Sequence, residues 1–243
     1  MNFCQPKAAL RGLNRLALLG SATALLAACG GKPDAEIFAI NDAQGRWATA
    51  AGDVALVLPA TEGTAATWLL ARDVSSVTHL DLKGTESGSL KATGLRFTIS
   101  GQVGQAQAID TIDWTASLNT AEARLTLGSN PVFSRTSDLK TPATQTDAQG
   151  AWQASTNNGA VVHTWAVDGT GNLAGTSSTG CVYSGRLAAR ADVTVFDATV
   201  RESCNAVVDN FAGVATVSAD RAAMTAVLVN TSNKTATALL FRK

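Results

Sequence analysis

The chain has 243 residues, of which 46% are hydrophobic and only 5% aromatic, with 19 Lys and Arg against 19 Asp and Glu. That length allows one large or two small domains, and the apolar content is ample for a packed core. The balanced charge, with no basic cluster, excludes the electrostatic footprint of a nucleic-acid binder and of polybasic membrane docking.

The first 28 residues carry Lys7, Arg11 and Arg15 and no acid, then an apolar run from Leu16 to Leu26, then Ala27 and Ala28. Basic, apolar and small residues in that order make a secretory signal. Its apolar run is about eleven residues, roughly half of the ~20 that cross a bilayer as a helix, so removal is expected rather than retention as a span. The junction Leu26-Ala27-Ala28-Cys29, followed by Gly30-Gly31, resembles the lipobox of bacterial lipoproteins. The resemblance implies cleavage before Cys29, with diacylglycerol in thioether linkage on that cysteine and a further acyl group on its amine. It also implies an outer-membrane position, on the periplasmic or surface face, because Gly30 is not the aspartate that marks inner-membrane retention. At ~0.8 kcal/mol per buried CH₂, two or three acyl chains hold a protein far more firmly than one. Residues 29–41 read as a tether, and the chain after it is weakly acidic.

With Cys4 in the signal and Cys29 lipidated, Cys181 and Cys204 remain. In an oxidising compartment they are expected to form a disulfide. Closing a loop of about 24 residues stabilises by ~3 kcal/mol in the chain-entropy model. A zinc site is not expected: there is no CxxC or HxxxH spacing, and His79 and His163 stand alone. No cofactor is expected either.

Ala, Thr, Ser, Val and Gly dominate, which favours short, half-buried strands punctuated by turns. Asp42-Ala43-Gln44-Gly45-Arg46-Trp47 returns as Asp147-Ala148-Gln149-Gly150-Ala151-Trp152, 105 residues later. Such an echo points to a tandem repeat. Gly84-Thr85 onward parallels Gly169-Thr170 onward at an offset near 85, and Ala123-Arg124-Leu125-Thr126 parallels Ala222-Ala223-Met224-Thr225. The smaller offset implies some 20 extra residues in the first copy, between Trp47 and Gly84. The expected organisation is a first repeat over 42–136, a linker over 137–146 and a second repeat over 147–243.

In the first repeat strands are predicted at 45–50, 53–58, 66–71, 77–83, 89–92, 96–100, 108–117, 121–127 and 132–135. In the second they fall at 152–155, 160–168, 172–177, 181–189, 193–201, 211–219, 223–230 and 235–242, separated by turn sequences such as Asn157-Asn158-Gly159. Between Cys181 and Leu187, Cys181, Tyr183 and Leu187 share one face while Ser184 and Arg186 take the other. A hairpin turning near Asp192 would set Cys181 opposite Cys204.

Eight short antiparallel strands either stack as two sheets or close into a barrel, and closure removes the exposed edges. Gly45/Trp47 and Gly150/Trp152 each form a Gly-x-Trp at an opening strand, which resembles the lipocalin and avidin-like barrels. That resemblance implies an all-β chain of two tandem small antiparallel up-and-down β-barrels, with Trp47 and Trp152 plugging their closed ends. The stretch from Gly45 to Lys243, with Gly-Thr-Gly-Asn-Leu-Ala-Gly and Gly-Cys-Val-Tyr-Ser-Gly in its second half, also resembles a group of proteobacterial lipoproteins. This second resemblance implies an architecture and no activity.

No GxSxG elbow accompanies His163 and Asp168. His163, between Val162 and Thr164, and His79 read as structural or surface histidines. Asp110/Asp113 and Asp192/Asp197 read as solvated faces or turns, and Gly169-x-Gly171 lacks the third glycine and helix of a dinucleotide site. Trp68 and Trp165, each after a threonine on an early strand, are candidates to face a lumen and touch a ligand, while Trp114 after Asp113 reads as exposed. The expectation is a non-catalytic, lipid-anchored envelope protein, a binding or structural accessory whose protein or small-molecule partner the sequence does not name. The alternatives are a carrier of a small apolar ligand inside a barrel and a surface factor for protein contact or adhesion.

Overall fold

The computed structural model describes residues 40–85, 89–99, 106–232 and 234–243. The signal sequence, Cys29 and the tether before Ile40 lie outside them. Sixteen strands follow one another: β1 (Gly45–Ala48), β2 (Val54–Val57), β3 (Thr64–Leu70), β4 (Ser76–Gly84), β5 (Leu90–Ile99), β6 (Ala106–Asn119), β7 (Arg124–Leu127) and β8 (Phe133–Ser137), then β9 (Gly150–Thr156), β10 (Val161–Val167), β11 (Asn172–Ser177), β12 (Val182–Ala189), β13 (Phe196–Cys204), β14 (Val207–Val217), β15 (Ala223–Asn230) and β16 (Thr235–Arg242). They form two closed antiparallel barrels of eight strands. β1 pairs with both β2 and β8 in the first, and β9 with β10 and β16 in the second.

Alternation decides which residues fill each lumen. On β3, Ala65, Thr67 and Leu69 point inward and join Trp47, Val57, Leu80, Leu82, Leu90 and Leu127 in or beside the first core. In the second barrel Trp152, Trp165, Tyr183, Leu187, Phe196, Phe211 and Phe241 do the same. The two Gly-x-Trp segments close their barrels alike. The Trp47 indole N–H donates to the Ala43 carbonyl at 2.9 Å, and that of Trp152 to the Ala148 carbonyl at 2.7 Å. A cation covers each ring, Arg135 within β8 at 4.4 Å and Lys243 just after β16 at 4.6 Å. Gly45 is required by space as well as by its φ of 153°: a Cβ there would lie 2.7 Å from the Ser137 carbonyl oxygen.

A third core lies between the barrels. Leu56, Leu58, Trp68, Val77 and Phe97 from the outer face of the first pack with Val214, Val227, Val229, Ala236 and Ala238 from the second, joined by Leu139, Val193 and Val195. Segment 137–146 is therefore no loose spacer. Leu139 is buried in this core, its carbonyl accepts the Thr194 N–H at 3.1 Å, and the Ala143 N–H donates to the Val193 carbonyl at 2.9 Å. Just beyond, a 3₁₀ turn at Gln145–Asp147 sets the Gln145 amide between the Leu187 carbonyl and the Ala189 N–H, at 2.7 and 3.0 Å.

Several expectations are corrected. The two strands expected at 89–92 and 96–100 are the single β5. Gly94 sits within it, where a Cβ would lie 2.0 Å from the His79 carbonyl oxygen of β4, so the glycine serves close strand approach rather than a turn. Nor does the first repeat carry some 20 extra residues. Strand starts stay 105 apart at β1/β9, 106 at β4/β12 and 99 at β7/β15, and Gly84-Thr85 ends β4 whereas Gly169-Thr170 joins β10 to β11. β13 and β14 also run closer together than expected, joined by the two-residue turn Asn205–Ala206 with φ of 48° and 67°.

Replacing Trp152 by Ala should cost about 3–5 kcal/mol through the cavity it leaves. Because the third core couples the barrels, the loss should appear as a lower urea midpoint of one shared transition. Hydrogen exchange showing a first barrel at its wild-type stability beside a destabilised second would contradict that coupling.

Candidate functional site

The chemistry-bearing side chains gather at the end of the second barrel opposite its Trp152 plug. β10 carries His163 inward, 3% exposed, and β12 brings Tyr183 beside it. The Thr156 hydroxyl lies 3.0 Å from His163 Nε2, and the Tyr183 hydroxyl 3.0 Å from Nδ1. Glu202 on β13 pairs in register with Tyr183, and their side chains interact. A chain in which Thr156 donates to Nε2, Nδ1–H to Tyr183 and Tyr183 to Glu202 satisfies every member. Burial holds the His163 pKa below its ordinary value and pushes the Tyr183 hydroxyl well above its own, with Glu202 adding to the latter. Glu202 is raised as well, by burial first and by the charge of Asp209.

Beside this chain is a cavity of about 30 Å³, bordered by His163, Trp165, Tyr183, Glu202 and Phe211. It has room for about one or two waters and is far below the ~300–1,000 Å³ of a ligand pocket. Trp165 is fully buried, and among the described residues its indole N–H has no protein acceptor; this cavity has room for a water to accept it. Trp165 thus faces the lumen as anticipated, packed 4.5 Å from Phe241.

Cys181 and Cys204 are joined in a disulfide, with Cα atoms 4.3 Å apart, across the β12–β13 pair as the hairpin register anticipated. Glu202 stands close to both sulfurs, but cysteines bonded to each other are not thiolate ligands. Around this end Val182, Val207 and Val208 are exposed.

Trp68 does not face a lumen. With Ala65, Thr67 and Leu69 turned inward, it occupies the outer face of β3, 6% exposed, stacked on His79 of β4 at 4.2 Å and 25°. Trp114 is also corrected. It sits half-buried against the first core, with Gly128 under its ring and Arg96 5.1 Å from the ring centre. Three of the four paired aspartates lie against cations: Asp113 against Lys91 at 3.1 Å, and Asp192 and Asp197 both against Arg190 at 3.2 and 3.5 Å.

The outward Trp68 borders a wide cleft between the barrels, of about 800 Å³. One wall is Leu58, Ala66, Trp68 and His79. The other is the outer face of β12–β15, with Thr199, Arg201, Asn210, Val214 and Val229. Sequence reasoning missed this site because it searched the lumens. The available signal was the unbroken apolar run Leu56-Val57-Leu58, which marks a strand buried on both faces. Comparison of the chain with protein-family models, curated proteins and solved structures finds no match.

Burial lowers both histidine pKa values from 6.5, so below about pH 6.5 the unfolded chain takes up protons that the folded one resists. Stability should therefore fall as pH drops through 6.5 toward the folded values. The loss of urea midpoint between pH 7.5 and 5.5 should shrink in His163→Gln and further in His79→Gln/His163→Gln. An unchanged pH slope in the double variant would refute the assignment. Glu202, raised by burial, has the opposite sign: its contribution is lost as pH rises through its folded value. Glu202→Gln should gain more stability at pH 7 than at pH 4.5.

Proposed function

We propose that this protein is a lipid-anchored component of a bacterial envelope, tethered through Cys29, in which two fused barrels form a non-catalytic binding body that takes its ligand in the wide cleft between them. The distribution of space carries this reading. Among the described residues side chains pack both lumens, with about 30 Å³ beside His163 in the second, whereas about 800 Å³ lies between the barrels. Internal carriage of an apolar ligand is correspondingly disfavoured. The Thr156–His163–Tyr183–Glu202 chain has a hydroxyl, a base and a carboxylate in series, but a histidine 3% exposed beside a water-sized cavity offers no substrate access. We assign it to ordering the barrel mouth.

The cleft lining suits a ligand with both an apolar surface and hydrogen-bonding edges, since the Trp68–His79 stack faces Arg201, Asn210 and Thr199. A second reading, contact with another envelope protein, is favoured by exposed Val182, Val207 and Val208 around the disulfide. The lipobox Leu26-Ala27-Ala28-Cys29 supports the anchor.

Two measurements test the proposal. Mass spectrometry of the native protein should find Cys29 as the first residue carrying acyl mass, and Cys29→Ser should leave the membrane fraction; retained upstream residues would sink the anchor. Gentle extraction followed by native mass spectrometry should reveal a bound mass that Arg201→Glu/Asn210→Ala loses. Loss on Val207→Ser/Val208→Ser instead would move the site to the disulfide end.

A further inference from the structure

A second, narrower groove runs along the opposite flank of the third core, beyond Trp68 from the wide cleft, with a volume of about 220 Å³. Its apolar wall is formed by Leu56, Trp68, Val74, Val227 and Leu240. Leu240, on the outer face of β16, remains 45% exposed there. Val74 holds a left-handed backbone, φ 60°, that β-branched residues avoid, and its side chain packs against the third core.

The charged groups lining the groove are of one sign. Arg46 from β1 and Arg72 from the β3–β4 turn border it, with the hydroxyl-bearing Thr216 and Thr225 across from them, and no carboxylate lines it. Each guanidinium has five N–H donors. Arg46 uses one on Thr136 Oγ1 at 3.2 Å and Arg72 one on the Ala51 carbonyl at 3.3 Å, and among the described residues neither forms an ion pair. The nearby acids have other hydrogen-bond partners. Asp53 accepts the backbone N–H of Arg72 and the hydroxyl of Thr49, and Asp73 accepts both donors of Ser75, with the charge of Arg72 adding a smaller attraction.

We propose that this groove binds a single-chain amphipathic carboxylate, a medium-chain fatty-acid anion, with its head between Arg46 and Arg72 and its tail along Trp68, Val227 and Leu240. Two guanidiniums with spare N–H donors and, among the described residues, no ion pair match a carboxylate, which a guanidinium can hold bidentately. The apolar wall removes the tail from water at roughly 25 cal/mol per Å². A volume somewhat under the ~300 Å³ of small ligand pockets suits a short single chain and excludes a diacyl lipid.

The experiment is calorimetric titration of the full chain bearing Cys29→Ser, so that no acyl group of its own competes, with decanoate, decan-1-ol and decyltrimethylammonium below their micellar concentrations. Decanoate should bind at one site, at least tenfold more tightly than the alcohol and more tightly still than the cation. Arg46→Gln/Arg72→Gln should lose that tenfold preference with an unchanged urea midpoint. Leu240→Asp, at an exposed position that cannot unfold the barrel by losing a core contact, should weaken decanoate at least tenfold. Equal affinities for the three amphiphiles, decanoate binding untouched by the arginine pair, or association only with phosphatidylglycerol vesicles would each overturn the proposal. Because Arg201 and Asn210 lie outside this groove, the wide cleft and the narrow one can fail independently.

Discussion

A closed barrel has only one inside, yet several strands of this protein are apolar on both faces. β15 is the extreme case: Met224, Ala226 and Leu228 fill the second lumen, while Val227 and Val229, on the alternate face, are buried too, on the outer surface. At roughly 25 cal/mol per Å², exposing the outer set would forfeit several kcal/mol. The first barrel presents the same excess on β2 and β3. Joining the two outer faces removes both from water and fixes the relation of the barrels. Linker conformation, the outward placement of Trp68 and both flanking grooves follow from that one contact.

The two barrels divide other work unequally. Each keeps a tryptophan plug under a cation, with the indole N–H satisfied by a backbone carbonyl four residues earlier. The second adds a covalent link and a buried polar chain at its far end. Those groups hold a mouth whose strands end in the exposed Asn205–Ala206 turn. Buried polar chains are favourable when each member is satisfied and costly when one is not. The placement of Thr156, His163, Tyr183 and Glu202 meets that condition.

With side chains filling the described parts of both lumens, the open concave surface lies at the seam. Interfaces between compact bodies concentrate concave surface, because two convex walls meet along a line and leave a groove on each side. Here the seam leaves a wide groove with mixed lining and a narrow one whose only charges are two arginines. Their common boundary is Trp68, which lines both grooves.

The sequence by itself determined what depends on short-range pattern. Period-two alternation and turn residues placed the strands nearly where they lie, one of them split in two, the Gly-x-Trp echo paired the two plugs, and cysteine arithmetic with hairpin register paired Cys181 with Cys204. It misjudged Gly94, because a glycine needed for close strand approach looks like one needed for a turn. It aligned Gly84-Thr85 with Gly169-Thr170, because Gly-Thr turns recur between unrelated strands. Only the tertiary structure decided which face of β3 is inside, and with it whether Trp68 lines a lumen or a seam. Local alternation names two faces without saying which is the interior, and in strands buried on both sides hydrophobicity gives no hint. That choice is made by whatever the barrel packs against.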